Sequence, residues 1–217
     1  MKILEIELLS DDINETESFY KRVLGLTPYQ KEKGVLLFYK VGFTRLIFRK
    51  SKEIKAIYHF AIDVPNNRFK ESYDFIAETT AIIPISETET IADFSEWNAE
   101  SFYFYDNNGN ILEFITRYDN NAVSDEVFST NSYISISEIG LAAKKVAEFA
   151  DKLIDKFGVS VFHRQPRGDR FTALGDDDGL FIIAINGRNW YPVEDKVYSY
   201  PAKVLFMKNA VTYQLVV

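Results

Sequence analysis

The sequence predicts an α+β protein built from a repeated unit of strand, helix and further strands, and three observations carry that prediction. Apolar side chains alternate with period two in short runs and recur at three-and-four spacing in the longer runs between them, which separates strands from helices. The turn Asp106-Asn107-Asn108-Gly109 before Asn110-Ile111-Leu112-Glu113 is repeated in form by Asp176-Asp177-Asp178-Gly179 before Leu180-Phe181-Ile182-Ile183. The chain has 217 residues, 47% of them apolar and 15% aromatic, enough to bury a substantial core.

The first unit opens with a strand over residues 3 to 9. Asn14 with Glu17 three positions later resembles a capping pair. Thr16, Phe19, Tyr20, Val23 and Leu24 then form one helical face, and Gly25 stands where a left-handed residue would end the helix. Residues 35 to 40 and 44 to 49 read as strands, with another near 27 to 30. A second unit starts at Ala56, with a strand over 57 to 64, a helix over about 67 to 78 and strands ending at 101 to 105 and 111 to 117. Its loop, 84 to 100, is longer than its counterpart and carries Trp97, which makes it a candidate cover for a ligand. Asn108-Gly109 is a hairpin signal, because both residues tolerate positive φ. A third unit has a strand over 133 to 137, a helix over 141 to 157, and strands near 159 to 164, 169 to 174 and 180 to 186. Strands at 202 to 207 and 211 to 216 close the chain. The domain reading is therefore residues 1 to 118 as two paired modules, 1 to 52 and 53 to 118, a polar linker over 119 to 131, and a third module with extra strands over 132 to 217.

A net charge of −7 argues against nucleic acid as a partner, since phosphate binding relies on clustered Lys and Arg. No apolar run approaches the roughly 20 residues needed to span a bilayer, and the acidic start MKILEIELLSDD does not read as a secretory signal, so a soluble cytoplasmic protein is expected. The absence of cysteine removes disulfides and thiolate chemistry, and two histidines mean that any metal site must draw mainly on carboxylates.

The repeated units, Phe19-Tyr20 followed by Val23-Leu24-Gly25, the strand opening His59-Phe60-Ala61-Ile62, and Ser101 to Asp106 with Gly109-Asn110-Ile111-Leu112-Glu113-Phe114 together resemble the vicinal oxygen chelate superfamily. That group includes glyoxalase I, fosfomycin-resistance proteins, extradiol dioxygenases and bleomycin-binding proteins. The resemblance implies βαβββ modules whose curled mixed sheets form a cup, with helices on the outer face and a metal at the base.

Strand alternation indicates which residues face such a cup. Leu4, Ile6 and Leu8 suit the helix side, leaving Glu5 and Glu7 opposite; Tyr58, Phe60 and Ile62 leave His59; Leu112 and Phe114 leave Glu113. Glu5, His59 and Glu113 are also the positions that match the family's metal ligands, with Glu5 where a histidine would stand and Ile47 at a fourth ligand position. The resemblance thus implies a divalent ion, Mn, Fe, Zn or Mg, held by one imidazole and two carboxylates. Other readings of the same residues stay open: Glu5 and Glu7 as a solvated stripe, His59 as a structural histidine, and Arg45 or Arg49 neutralising the acids without a metal.

The leading functional reading is a divalent-metal-dependent enzyme of the glyoxalase or dioxygenase type, acting on a small oxygen-rich substrate that chelates the metal. Glu7 is the candidate general base, Tyr103 a second catalytic candidate, and Arg45, Arg49, Tyr105 and Trp97 candidate substrate contacts. The competing readings are a metal-free small-molecule-binding protein of the bleomycin-resistance kind, and a pocket collapsed by Arg-Glu pairs. His163-Arg164 raises a second metal centre, but no acid or histidine occupies 133 to 136 and Ile183 holds the matching later position, so the third module reads as scaffold. Because an odd module leaves one sheet uncovered, a homodimer is expected, with the C-terminal strands as the alternative cover.

Overall fold

The computed structural model describes residues 1 to 217 and contains the repeated unit three times, the third copy one strand short because the strand expected over 159 to 164 is reduced to a single bridge between Val161 and Leu174. The first comprises β1 (Lys2–Ser10), α1 (Ile13–Val23), β2 (Gln30–Glu32), β3 (Leu36–Val41) and β4 (Thr44–Lys50). The second comprises β5 (His59–Asp63), α2 (Phe69–Ala77), β6 (Ala92–Phe94), β7 (Ala99–Tyr105) and β8 (Ile111–Arg117). The third, with β9 (Ser135–Ala143), α3 (Val146–Phe157), β10 (Phe171–Asp176) and β11 (Gly179–Ile185), is followed by a hairpin of β12 (Lys203–Lys208) and β13 (Val211–Val216).

Local chemistry explains the boundaries. Asp12, rather than Asn14, caps α1, its carboxylate accepting from the N–H groups of Asn14 and Glu15 at 3.0 and 3.1 Å. Gly25 follows the helix with φ of +64°, as the left-handed exit requires. The α3 helix begins five residues later than the sequence suggests. Leu141, Ala142 and Ala143 extend β9 instead, because each pairs with a residue of β11, and ladder formation there outweighs their helical preference.

The strands form two sheets. In the six-stranded sheet the order is β13-β12-β1-β4-β3-β2, and in the seven-stranded sheet it is β10-β11-β9-β5-β8-β7-β6. This pairing departs from the expected one. The second module shares its sheet with the third, through antiparallel β5 and β9, while the first module shares its sheet with the C-terminal hairpin, through antiparallel β1 and β12. Residues 1 to 118 therefore do not pair with each other to make the cup. The strands of the third module find their partner within the chain, so they do not require the homodimer expected from an uncovered sheet.

The helix-facing sides of both sheets bury one continuous core. Ile6 and Leu8, Phe60 and Ile62, Leu112 and Phe114, and Ile139 and Leu141 all join it, together with the inner faces of the three helices. Burial of each such side chain contributes about 1.5–3 kcal/mol, so this core is what fixes the two sheets relative to one another. Polar contacts set the register of the junction. The Thr44 hydroxyl donates to the Ile3 carbonyl at 2.8 Å and accepts from the Ile136 N–H at 3.0 Å. Beside it Gly42 has φ of +55°, and a Cβ there would lie 1.9 Å from the Ile134 carbonyl oxygen, so no other residue fits. No helix is long and apolar enough to cross a membrane.

Candidate metal centre

The concave face of the seven-stranded sheet is built from alternate residues of its central strands. His59 and Ala61 point into it from β5 and Glu113 from β8, since Ala61 is registered against Glu113 while the flanking Phe60, Ile62, Leu112 and Phe114 are in the core. The third contributor is Glu138 of β9, also registered against Ala61. Its direction depends on a β-bulge. Pairing shifts between Ala61 and Ile62, so Ser137 is an extra residue on β9. Ile136 packs into the core, whereas Ser137 and Glu138 both reach the buried guanidinium of Arg117 on the concave side.

The ligand atoms of His59, Glu113 and Glu138 lie within 4.8 Å of one another, and all three residues are buried. Metal bonds of about 2.0–2.2 Å hold donors about 3–4 Å apart, so movements of roughly an ångström would close a shell around an ion. The imidazole is oriented for that role: Nδ1 lies 3.1 Å from the Ile111 carbonyl oxygen, to which it can only donate. Nε2 is thereby turned toward the carboxylates, 3.5 Å from Glu113 Oε2. Burial pushes the His59 pKa down, against the attraction of Glu138, so the neutral ring presents its Nε2 lone pair.

Burial likewise dominates both acids, pushing Glu113 up to about 7 and Glu138 up to about 7 despite the nearby Arg117 charge. The Tyr103 hydroxyl donates to Glu113 Oε1 at 3.1 Å, and burial pushes its own pKa well above the ordinary value, so it stays a neutral donor. Arg117 donates to Asp63 at 2.5 Å, to the Ser137 hydroxyl at 2.9 Å and to Glu138. With Asp63, Glu113 and Glu138 ionised, one guanidinium leaves two buried negative charges uncompensated, which a single divalent cation cancels. The donor set therefore fits a hard or borderline divalent ion. Ile182, registered against Gly140 as Glu113 is against Ala61, holds the matching position of β11 and supplies no donor; it takes the place that the sequence reading gave to Ile183, whose side chain is in the core.

These groups form the floor of a cavity of about 390 Å³, within the range of small-molecule sites. Phe94, Trp97, Phe171, Ile182, Trp190 and Tyr191 contribute to its walls. Three loops close it. The Trp97 indole donates to Gln165 Oε1 at 3.3 Å, tying the loop of the second module to that of the third. The Tyr105 hydroxyl donates to Asp195 at 2.5 Å and anchors the segment that carries Trp190 over His59, with ring centroids 5.2 Å apart.

Of the residues singled out from sequence, His59, Glu113, Tyr103 and Trp97 come together at this cavity. Tyr105 stands outside it as an anchor. Glu5, Glu7, Arg45 and Arg49 lie on the six-stranded sheet, so Glu5 is not a neighbour of His59 and cannot complete its ligand set. Glu5 is instead ion-paired to Arg45, and Glu7 accepts from Arg49 at 2.7 Å and Lys203 at 3.0 Å. Although partial burial pushes the Glu7 carboxyl up, those two cations hold it below the ordinary glutamate value, so it is neither placed nor tuned as the cavity's base. The third module is not mere scaffold, because it supplies Glu138. His163 forms a separate, largely exposed grouping with Asp119 and the half-buried Asp177; Asp119 is already engaged by Asn98 at 2.7 Å and Arg164 at 2.5 Å.

The architecture has solved counterparts. A provisionally assigned dioxygenase from Bacillus subtilis is similar over 100% of this chain and 84% of its own length, with a TM-score of 0.62 at 12% identity. Two glyoxalase I mutants from Zea mays each match over 90% of this chain and 71% and 70% of theirs, with TM-scores of 0.59 and 0.55 at 14% identity. The fold is the one that these solved structures share. No family model matches the sequence, and no curated protein is significantly similar to it.

Proposed function

We propose that the protein is a divalent-metal-dependent enzyme of the vicinal oxygen chelate type, with His59, Glu113 and Glu138 as ligands and a small oxygen-rich molecule as substrate. The observation that carries this reading is the convergence of three buried donors from three strands, with the second nitrogen of the imidazole committed to a backbone carbonyl. A bound divalent ion would supply Lewis-acid stabilisation of negative charge developing on a substrate oxygen. The chain's own residues do the rest. Tyr103 holds Glu113 in orientation, Arg117 holds one oxygen of Glu138, and the aromatic walls exclude water, which strengthens electrostatic interactions at the floor.

A metal-free binding cavity is the second reading, and one observation favours it. With Arg117 bonded to Glu138 and both glutamates near 7, protons can balance the floor without any ion. Metal analysis after chelation and reloading with Mn²⁺ separates the two. The enzyme reading expects near-stoichiometric uptake by the parent protein and by Glu5→Gln, with uptake lost in His59→Ala and Glu138→Gln. Uptake that is absent from the parent, or undiminished by Glu138→Gln, would favour the binding protein.

A further inference from the structure

The floor of the cavity is accounted for by its ligand set, but its rim carries a cation with no carboxylate within ion-pair distance. Arg188 lines the cavity and is half-buried, whereas His59, Glu113 and Glu138 below it are fully enclosed. Arg45, Arg49, Arg68, Arg117, Arg164 and Arg167 each pair with a carboxylate. Arg188 does not, and unlike the exposed, likewise unpaired Arg22 and Arg170 it is half-buried at a cavity; its one side-chain hydrogen bond runs from Nε to the Asn189 carbonyl at 3.2 Å. Its guanidinium lies 5.4 Å from the centre of the Phe171 ring, another wall residue, which holds the planar group in place while the terminal nitrogens stay available.

We infer that the cavity takes an amphipathic anion: a compact apolar or aromatic body seated among Phe94, Trp97, Trp190 and Tyr191, with a carboxylate-type oxyanion received by Arg188 at the rim. The physical argument is the separation of functions along the cavity. The walls offer ring faces and few polar partners, so they favour an apolar body. At the rim, a guanidinium with its fork free matches an oxyanion bidentately, and charge-assisted bonds of that kind are the stronger class. Asn189 and Gln165, the neutral polar residues beside it, can add bonds but do not oppose the charge. The net acidity of the chain points the other way, toward a cation, and comparing an acid with the matching amine separates the two expectations.

This inference rests on the cavity being the ligand site, and not on the ion at its floor. Both tryptophans of the chain, Trp97 and Trp190, line the cavity, so intrinsic fluorescence reports occupancy directly. Phenylpropionate, its neutral amide and the matching amine would be titrated against the protein with and without Mn²⁺, and Mn²⁺ uptake measured in parallel. The expected result is binding of the acid about ten- to a hundredfold tighter than the amide or amine. In Arg188→Gln that preference should fall to within about threefold, with Mn²⁺ uptake unchanged. Equal binding of acid and amide, tightest binding of the amine, no fluorescence response to any of the three, or a preference retained in Arg188→Gln would each overturn the inference. Loss of Mn²⁺ uptake in the parent with the acid preference intact would instead remove the metal reading and leave this one standing.

Discussion

The two sheets are built on one plan and carry opposite chemistry. In each, a module's first strand runs parallel to that module's last strand and antiparallel to a strand from the third module or the C-terminal hairpin. Ala61 is registered against Glu113 and Glu138; its counterpart Glu7 is registered against Ile47 and Lys203. His59, Glu113 and Glu138 on one sheet thus correspond to Glu5, Ile47 and Lys203 on the other. The backbone frame alone does not make a site. What differs is cover: loops close over the seven-stranded sheet and leave its charges buried and under-compensated, while the acids of the six-stranded sheet are only partly buried and pair with Arg45, Arg49 and Lys203.

The sharpest way to break this comparison is to remove one arginine from each sheet. Arg117→Ala strands Asp63 and Glu138 as buried unpaired carboxylates and should cost about 3–5 kcal/mol in denaturant unfolding. Arg45→Ala, on the open sheet, should cost about 1 kcal/mol or less. Similar costs for the two would show that the buried network is not under electrostatic demand.

The pH dependence sharpens the same contrast. Glu113 and Glu138 have folded-state values raised from 4.5 to about 7. Their contribution to the stability of the metal-free protein is therefore complete below about pH 4.5 and lost as pH rises through about 7. Metal binding needs both carboxylates ionised, so Mn²⁺ affinity should fall by up to about tenfold per pH unit for each proton below that range. Thermal shifts by Mn²⁺ should accordingly grow between about pH 5.5 and pH 8. A shift independent of pH would place the ion elsewhere. A smaller effect is expected from Tyr103→Phe, which frees Glu113 Oε1 and should weaken Mn²⁺ binding by about tenfold in dialysis, with little change in fold stability.

Much of this was legible in the sequence, for a local reason. Alternation within a strand is a property of a few residues, so the faces taken by His59, Glu113, Arg45 and Ile47 follow from their apolar neighbours. Sheet neighbours are chosen by contacts far apart in sequence, and nothing near Glu5 reveals that β1 lies beside β12 and not beside β5. Glu138 was hidden twice. The run Leu141-Ala142-Ala143-Lys144-Lys145 has helical composition and shortens the apparent strand. The bulge at Ser137 then reverses parity, so simple alternation from the core residue Ile136 sends Glu138 to the wrong face. The repeat itself held the usable signal: Glu138 opens Glu138-Ile139-Gly140-Leu141 as His59 opens His59-Phe60-Ala61-Ile62, each registered against the start of its module's last strand. Arg188 and Trp190 lie in a segment of no regular period, where sequence offers only composition.

The most direct measurement is an anomalous difference map from crystals grown with Mn²⁺. The account predicts one strong peak bonded to His59 Nε2 and to oxygens of Glu113 and Glu138, with nothing among Glu5, Ile47 and Lys203. Well-ordered density for those three side chains with no peak between them, or a peak confined to Asp119, His163 and Asp177, would contradict it.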